Sequence, residues 1–165
     1  MKKLSLILFN IFILLSIQNL SIAEEKTISG KAYVVDGDTI KIKGKSIRLF
    51  GIDAPEMKQI CFHEDDMPYY CGAHAKYFLK LLIDERDAFG PKGFVTCKYK
   101  NLDRYGRIIG DCDDLNLSMV IRGHAVAYTR YSNIFLNAQE IAREKKRGIW
   151  SGKFDIPEQW RKKNK

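Results

Sequence analysis

The stretch Asp36-Gly37-Asp38-Thr39-Ile40-Lys41-Ile42-Lys43-Gly44-Lys45-Ser46-Ile47-Arg48-Leu49-Phe50-Gly51-Ile52-Asp53-Ala54-Pro55-Glu56 decides the fold. Ile40 and Ile42 alternate with polar residues before Gly44-Lys45, and Ile47 and Leu49 do so after it. Alternation with period two marks strands with one buried face, and a two-residue glycine turn between such runs marks a hairpin. Pairing about Gly44-Lys45 sets Lys43 opposite Ser46 and, by extension, Asp38 opposite Gly51. Asp38 and Asp53 then emerge at the same open end of the hairpin, although fifteen residues separate them in sequence. Asp36-Gly37 reads as the turn that leads into the first of these strands.

Outward from this hairpin, residues 27–35 read as a preceding strand rich in β-branched and aromatic residues. Residues 57–71 read as a polar loop without periodicity. Residues 72–87 read as an amphipathic helix with Ala75, Phe78, Leu79, Leu82 and Ile83 on one face, and Gly90-Pro91 breaks the chain after it. Residues 93–100 and 107–113 form a second hairpin across Asp103-Arg104-Tyr105-Gly106. That turn sets Leu102 opposite Arg107 and Cys97 opposite Cys112. Directly opposed strand residues approach closely enough for a disulfide. Cys97–Cys112 is therefore one expected bridge, and Cys61–Cys71 closes the loop ahead of the helix as the other. Residues 115–122 read as a short helix ended by Gly123. Residues 133–147 read as a longer one, with Ile134, Asn137 or Ala138, and Ile141 inward, stopped at Gly148. Trp150 and Trp160 flank a polar, basic tail whose end, from Arg161 onward, is expected to be solvated, with non-specific attraction to polyanions. Five strands with a helix inserted after the third predict an α+β, mainly β chain: a five-stranded OB-type barrel with about three helices.

The chain has 165 residues and a formal net charge of +8. Met1-Lys2-Lys3, the apolar run Leu4 to Ile17 and the small residues Ser21-Ile22-Ala23 form the pattern of a secretory signal peptide over residues 1–23, cut after Ala23. The competing reading, a membrane anchor, needs a longer apolar run, and Asn10, Gln18 and Asn19 interrupt or end this one. Residues 24–165 then form one domain, secreted or periplasmic, with no membrane partner once the leader is removed and monomeric by default. The four cysteines fall in that part and suit an oxidising compartment. Cys61, His63, Cys71 and His74 also make up the ligand set of a structural zinc site, but the spacing is irregular and the compartment favours oxidation. Glu64-Asp65-Asp66 reads as a solvated acidic loop, and His124 as a packing or surface residue. A basic domain suggests a polyanionic partner.

Asp36, Asp38 and Asp53 at one hairpin end, with Glu56 following, gather carboxylates. Arg48 and the Arg104-Tyr105-Gly106-Arg107 turn add guanidiniums. Carboxylates that hold a hard cation, with arginines that hold a phosphate, are what phosphodiester hydrolysis requires.

The order and spacing of Val35-Asp36-Gly37-Asp38-Thr39, Arg48-Leu49, Asp53-Ala54-Pro55-Glu56, Asp103-Arg104-Tyr105-Gly106-Arg107, Leu115-Asn116, Gly123-His124-Ala125 and Gly148-Ile149-Trp150 resemble the staphylococcal-nuclease-like (thermonuclease) family, in a secreted, cysteine-containing form. The resemblance covers nearly all of residues 27–150. It implies a Ca²⁺-dependent endonuclease acting on DNA and RNA and leaving 3′-phosphate and 5′-hydroxyl ends. Asp38 and Asp53 match its calcium carboxylates, Ala54 the ligand that acts through its backbone carbonyl, and Asp36 a carboxylate supporting them from behind. The family often has threonine at the Ala54 position, and a backbone ligand tolerates the change. Arg48 and Arg107 match the arginines on the scissile phosphate. Glu56 matches the proposed general base, although neighbouring cations weaken a glutamate as a base, and it could instead order water or organise its loop. Arg104 belongs to the same substrate-facing turn. Tyr105, Tyr128 and Tyr131 are expected either to stack on bases or to pack over the barrel. The rival class is an OB-fold nucleic-acid-binding module that has lost catalysis; another is a surface adhesion or assembly protein.

Overall fold

The computed structural model describes residues 25–85 and 91–164. The expected leader, residues 1–23, lies outside the described residues, as do Gly90 and the last two residues of the expected 72–87 helix. Along the chain run strands β1 (Lys26–Val34), β2 (Thr39–Ile42), β3 (Lys45–Leu49), β4 (Ile52–Asp53), β5 (Ile60–Phe62) and β6 (Pro68–Tyr70). Helix α1 (Cys71–Asp84) precedes β7 (Phe94–Leu102) and β8 (Ile108–Cys112). Then come α2 (Leu115–Ile121), β9 (Val126–Ala127), α3 (Leu136–Glu144), a 3-10 turn (Gly148–Ser151) and α4 (Pro157–Lys163).

Five strands close a barrel in the order β1-β2-β3-β8-β7, with β3 and β8 parallel and the other pairs antiparallel. This is the expected OB-type barrel. The alternation that predicted it buries Ile40, Ile42, Ile47 and Leu49 inside, joined by Val95 and Ile108 from the far strands. Each such side chain removed from water contributes about 1.5–3 kcal/mol. Helix α1 caps this core with Ala75, Leu79 and Ile83, at i, i+4 and i+8; Phe78 and Leu82 pack beside them, half-buried.

The centre of the first hairpin is displaced by one residue from the expected position. Ile42 pairs with Lys45 and Thr39 with Arg48, so Lys43 and Gly44 form the turn. Both have positive φ, 49° and 76°, the backbone of the two-residue turn whose twist matches the flanking strands. Asp38 consequently faces Leu49, whose N–H it accepts at 2.8 Å, rather than Gly51. The shift moves each partner by two residues, so the inward and outward faces are unchanged.

Cys97 pairs with Cys112 in register, and the two are disulfide-bonded with Cα atoms 3.9 Å apart. An irregularity between Tyr99 and Leu102 then slips the ladder, and Leu102 faces Ile108 rather than Arg107. Cys61 and Cys71 form the other disulfide, which excludes them as thiolate ligands for zinc. Residues 57–71 are more ordered than their composition suggested. Strands β5 and β6 pair there, and Phe62 exchanges backbone hydrogen bonds with Lys153.

Four α-helices are present among the described residues, against about three expected. The helix expected over 133–147 is shorter, and of the residues expected inward only Ala138 is buried. Ile134 is 67% exposed and Ile141 38%, Asn137 is exposed, and Phe135, Ala138 and Ala142 are buried. Alanines let the α3 backbone approach its neighbour, while Phe135 covers Gly51. The fourth helix, α4, forms within the expected solvated tail. A second, smaller apolar cluster lies beneath the segment leading to it. That cluster joins Cys61, Cys71, Val126 and Ile149 to Tyr69, Trp150, Phe154 and Ile156. No helix among the described residues is long and apolar enough to cross a membrane.

Candidate active site

The turn at residues 36–38 holds itself together before it holds anything else. Asp38 N–H donates to Asp36 Oδ1 at 3.1 Å, and the N–H groups of Val35 and Asp36 both reach the Thr39 carbonyl. A Cβ on Gly37 would lie 2.7 Å from the Ala54 methyl and 2.8 Å from that of Ala75, so the turn is seated against β4's exit and α1.

This seating carries the Asp38 carboxylate to Ala54, whose N–H donates to Oδ2 at 2.8 Å. Asp38 Oδ1 accepts the Thr39 hydroxyl and forms an ion pair with Arg48. Arg48 stands on the outward face of β3 and also donates to Asp53 Oδ1 at 3.0 Å. Asp53, held by the pairing of β4 with Val126 of β9, is fully buried. Asp38 and Asp53 therefore share one guanidinium, the convergence anticipated from the open hairpin end.

Arg161 of α4 completes the arrangement, and sequence reasoning missed it. Its Nη1 donates to Asp53 Oδ1 at 3.0 Å and to Glu56 Oε1 at 2.8 Å, and its Nη2 to Asp53 Oδ2 at 2.9 Å. The result is a line of alternating charge: Asp38, Arg48, Asp53, Arg161, Glu56. Residues 157–163 did carry helix signals, with proline at the first position, Glu158 in the first turn and three basic residues in the last. They did not say against what the helix would dock.

Glu56 is positioned by its backbone. Its N–H donates to the buried Gln59 side chain at 3.2 Å, and its carbonyl accepts Gln59 N–H at 2.7 Å. The start of α1 presses on the same carbonyl: a Cβ at Gly72 would stand 1.9 Å from Glu56 O. The Glu56 side chain remains 41% exposed, within reach of water.

Arg107 is brought to the same outer face. Ile109, two residues on, pairs with Arg48 across the parallel β3–β8 ladder. Standard strand spacings place the Arg107 and Arg48 backbones roughly 8 Å apart. Arg107 Nε donates to Asp103 Oδ2 at 2.7 Å, an anchorage through one of its five N–H groups. Arg104 and Arg107 both lie over the exposed Tyr105 ring, at 4.8 and 5.7 Å. Tyr128 hydrogen-bonds Gly51 through its backbone, and its ring meets Tyr131 edge-on at 5.1 Å. Tyr131 is exposed and Tyr128 half-buried. His124 lies away from this cluster, stacked on Phe78 with centroids 3.9 Å apart.

Electrostatics show what the cluster lacks. Three carboxylates (Asp38, Asp53, Glu56) share two guanidiniums (Arg48, Arg161), and Asp36 stands beside Asp38, an excess of negative charge in a largely buried place. Burial, and then the charge of Asp38, raise the Asp36 carboxyl to about 6. Burial also raises Asp53, against the opposing pull of Arg161 and Arg48. Hard oxygen donors with unbalanced negative charge fit a divalent cation such as Ca²⁺. Among the described residues, however, no three ligand side chains stand ready-assembled: the guanidiniums take both oxygens of Asp53 and one each of Asp38 and Glu56, and backbone N–H groups take Asp38 Oδ2 and Asp36 Oδ1.

An OB-type barrel whose mouth joins carboxylates to arginines can pair a hard cation with an anion such as a phosphate. Comparison with known proteins narrows this: the model of the staphylococcal nuclease homologue family matches residues 46–152, and the chain belongs to that family. It is 36% identical over 130 residues to the succinoglycan biosynthesis protein ExoI of Rhizobium meliloti (strain 1021), covering 74% of this chain and 64% of that one. An uncharacterized endonuclease of Escherichia coli is 36% identical over 135 residues, 75% of this chain and 77% of that one. One from Haemophilus influenzae is 32% identical over 155 residues, 87% and 78% respectively. The chain thus spans less than two thirds of the first of these relatives and over three quarters of the other two.

Proposed function

We propose that this chain is a nuclease, a hydrolase that cleaves phosphodiester bonds within DNA and RNA with the help of Ca²⁺. The observation that carries the reading is the shared grip of Arg48 on Asp38 and Asp53, in a chain of the staphylococcal nuclease homologue family. Two relatives named as endonucleases support it.

In this reading Asp38, Asp53 and the Ala54 carbonyl hold calcium, with Asp36 bracing the Asp38 turn. Bound there, the ion would supply a Lewis acid that polarises a phosphoryl oxygen. Everything else falls to the protein. The two carboxylates orient Arg48, so its N–H fork meets a phosphate without searching conformations. Asp103 does the same for Arg107. Two forks on one phosphate stabilise the charge that grows on its oxygens in the five-coordinate transition state, typically by a few kcal/mol where water is excluded. Glu56 sits at the exposed rim, where it can accept a proton from the attacking water. Attack opposite the 5′-oxygen breaks its bond to phosphorus; that oxygen leaves with a proton from solvent water while Glu56 returns its own to solvent, giving a 3′-phosphate and a 5′-hydroxyl end. Arg104, Tyr105, Tyr128 and Tyr131 surround the mouth and supply charge and rings for the flanking nucleotides. We further propose export, to the periplasm or the medium, and a monomeric enzyme; the disulfides suit an oxidising compartment.

Cleavage of single-stranded DNA, duplex DNA and RNA by the purified protein, with Ca²⁺ and with chelator, beside Arg48→Ala, tests the reading. Calcium-dependent cleavage lost in the variant is the expected result. Salt-sensitive binding without cleavage would place the chain among nucleic-acid-binding modules instead.

A further inference from the structure

Arg161 lies beyond the residues that the family model matches, yet it holds the innermost carboxylate of the site. Its two terminal nitrogens take both oxygens of Asp53, and one of them also takes Glu56. The grip is not that of a loose tail. Helix α4 is seated by the buried Pro157, and the segment before it rests on the smaller apolar cluster. Gln59, fully buried beside Glu56, donates to the Asp155 carbonyl at 2.6 Å. Arg130 pairs with Glu158 at 3.4 Å. These contacts fix the backbone of α4 at the mouth of the site, while the Arg161 side chain stays one third exposed and free to leave.

A guanidinium that takes both oxygens of Asp53 occupies the lone pairs a divalent cation would need, whereas Arg48 takes one oxygen each of Asp38 and Asp53 and leaves the second of each able to face an ion once Arg161 has gone. Moreover, a positive charge a few ångströms from the ion opposes its binding. We propose that Arg161 is a tethered cation built into the metal site, which neutralises Asp53 and Glu56 until calcium displaces it and thereby sets the affinity for the ion. The inference rests on the calcium reading given above. A protein whose binding-competent form is only fractionally populated binds with its affinity reduced by that fraction. With Arg161 seated on Asp53, the competent form is the one in which the guanidinium has let go. The same contact explains how a fully buried aspartate tolerates the metal-free state, where an uncompensated buried charge is strongly destabilising.

Calorimetric Ca²⁺ titration and thermal unfolding in chelator, on wild type, Arg161→Gln and Arg161→Lys, test the proposal without reference to turnover. Arg161→Gln is expected to bind Ca²⁺ at least tenfold more tightly. It should also melt below wild type in chelator and gain more from added Ca²⁺. Arg161→Lys keeps the charge but loses the fork, and should fall between the two. Should Arg161→Gln fold only when Ca²⁺ is present, that too is the expected behaviour. Equal or weaker Ca²⁺ binding by Arg161→Gln overturns the role of Arg161 and leaves the calcium site standing. Absence of Ca²⁺ binding in all three proteins overturns both.

Discussion

Replacing Gly72 with alanine sets two physical effects against each other. The residue is the second of helix α1. Helix propensity alone favours alanine over glycine by up to about 1 kcal/mol in a helix interior, and by less near its start. Packing says the reverse. The added Cβ would sit 1.9 Å from the Glu56 carbonyl oxygen, 2.3 Å from its carbon and 2.7 Å from the Pro55 oxygen, whereas real Cβ contacts essentially never fall below 3.0 Å. The atoms in the way are backbone, so no side chain can swing aside, and the two segments must separate by at least an ångström. Neither yields readily. Cys71, next to Gly72, is tied to Cys61, and Ala75, Leu79 and Ile83 anchor the helix in the core. On the other side, the turn from Glu56 to Gln59 is held by the buried Gln59. Overpacking of this kind typically costs 1–3 kcal/mol, occasionally more, so the net loss should be about 2 kcal/mol. For a chain of this length that is roughly 6 °C of Tm. The displaced turn carries Glu56, so turnover should fall by more than tenfold even in the folded fraction. Thermal melts and cleavage rates of Gly72→Ala check both. Gly106→Ala is a control, with nothing within 4 Å and a penalty from its φ of +78° alone. An unchanged or raised Tm for Gly72→Ala would refute the reasoning, because it would mean that the approach of α1 to Glu56 does not constrain the site.

Three further outcomes are expected. Arg48→Ala leaves Asp38 and Asp53 without their shared partner, so it should cost about 3 kcal/mol in denaturant melts in chelator and lower turnover by at least a hundredfold. Ca²⁺ should restore part of the stability and none of the turnover. His124 is held down to about 4, from 6.5, by burial and by the charges of His74 and Arg122. The unfolded chain therefore binds the extra proton first, and stability contributed by neutral His124, up to about 3 kcal/mol, is lost as pH falls from about 6.5 to 4; His124→Phe should flatten that limb of a Tm-against-pH curve. Removing the Cys97–Cys112 bridge by double alanine substitution opens a loop of sequence separation 15, and should cost about 3 kcal/mol, read as a lower Tm whose remaining response to reductant is that of the Cys61–Cys71 bridge alone.

The barrel was legible because its signal is local and periodic. Ile40, Ile42, Ile47 and Leu49 alternate, and alternation survived an error of one residue in the hairpin centre, since a shift of partners by two preserves the faces. What the pattern could not show was that Lys43 would accept a positive φ beside Gly44. The Cys97–Cys112 register was read correctly near the bridge and failed at Leu102, where the ladder slips. Helix α3 was misread because a search for large apolar residues selects Ile134 and Ile141. The packing instead demanded small ones, Ala138, which the pattern had offered as an alternative to Asn137, and Ala142, which it had not. In the site, the encounter of Asp38 with Asp53 followed from strand pairing. Arg161 did not, because an ion pair across a sequence separation of 108 leaves no trace in any local window.

The separation of the two apolar clusters has a consequence for motion. The smaller one has four buried members, Cys61, Cys71, Val126 and Ile149, beside a barrel core several times richer. Regions with few buried contacts open at a free energy well below that of global unfolding, and they open as units. The segment resting on the small cluster, with α4 at its end, is such a unit. Native-state amide exchange should find it detaching while the five-stranded barrel stays closed. During each excursion Arg161 goes with it and Asp53 is uncovered, which gives the interior of the site a second route, beside release of the side chain alone, for trading one positive charge for another.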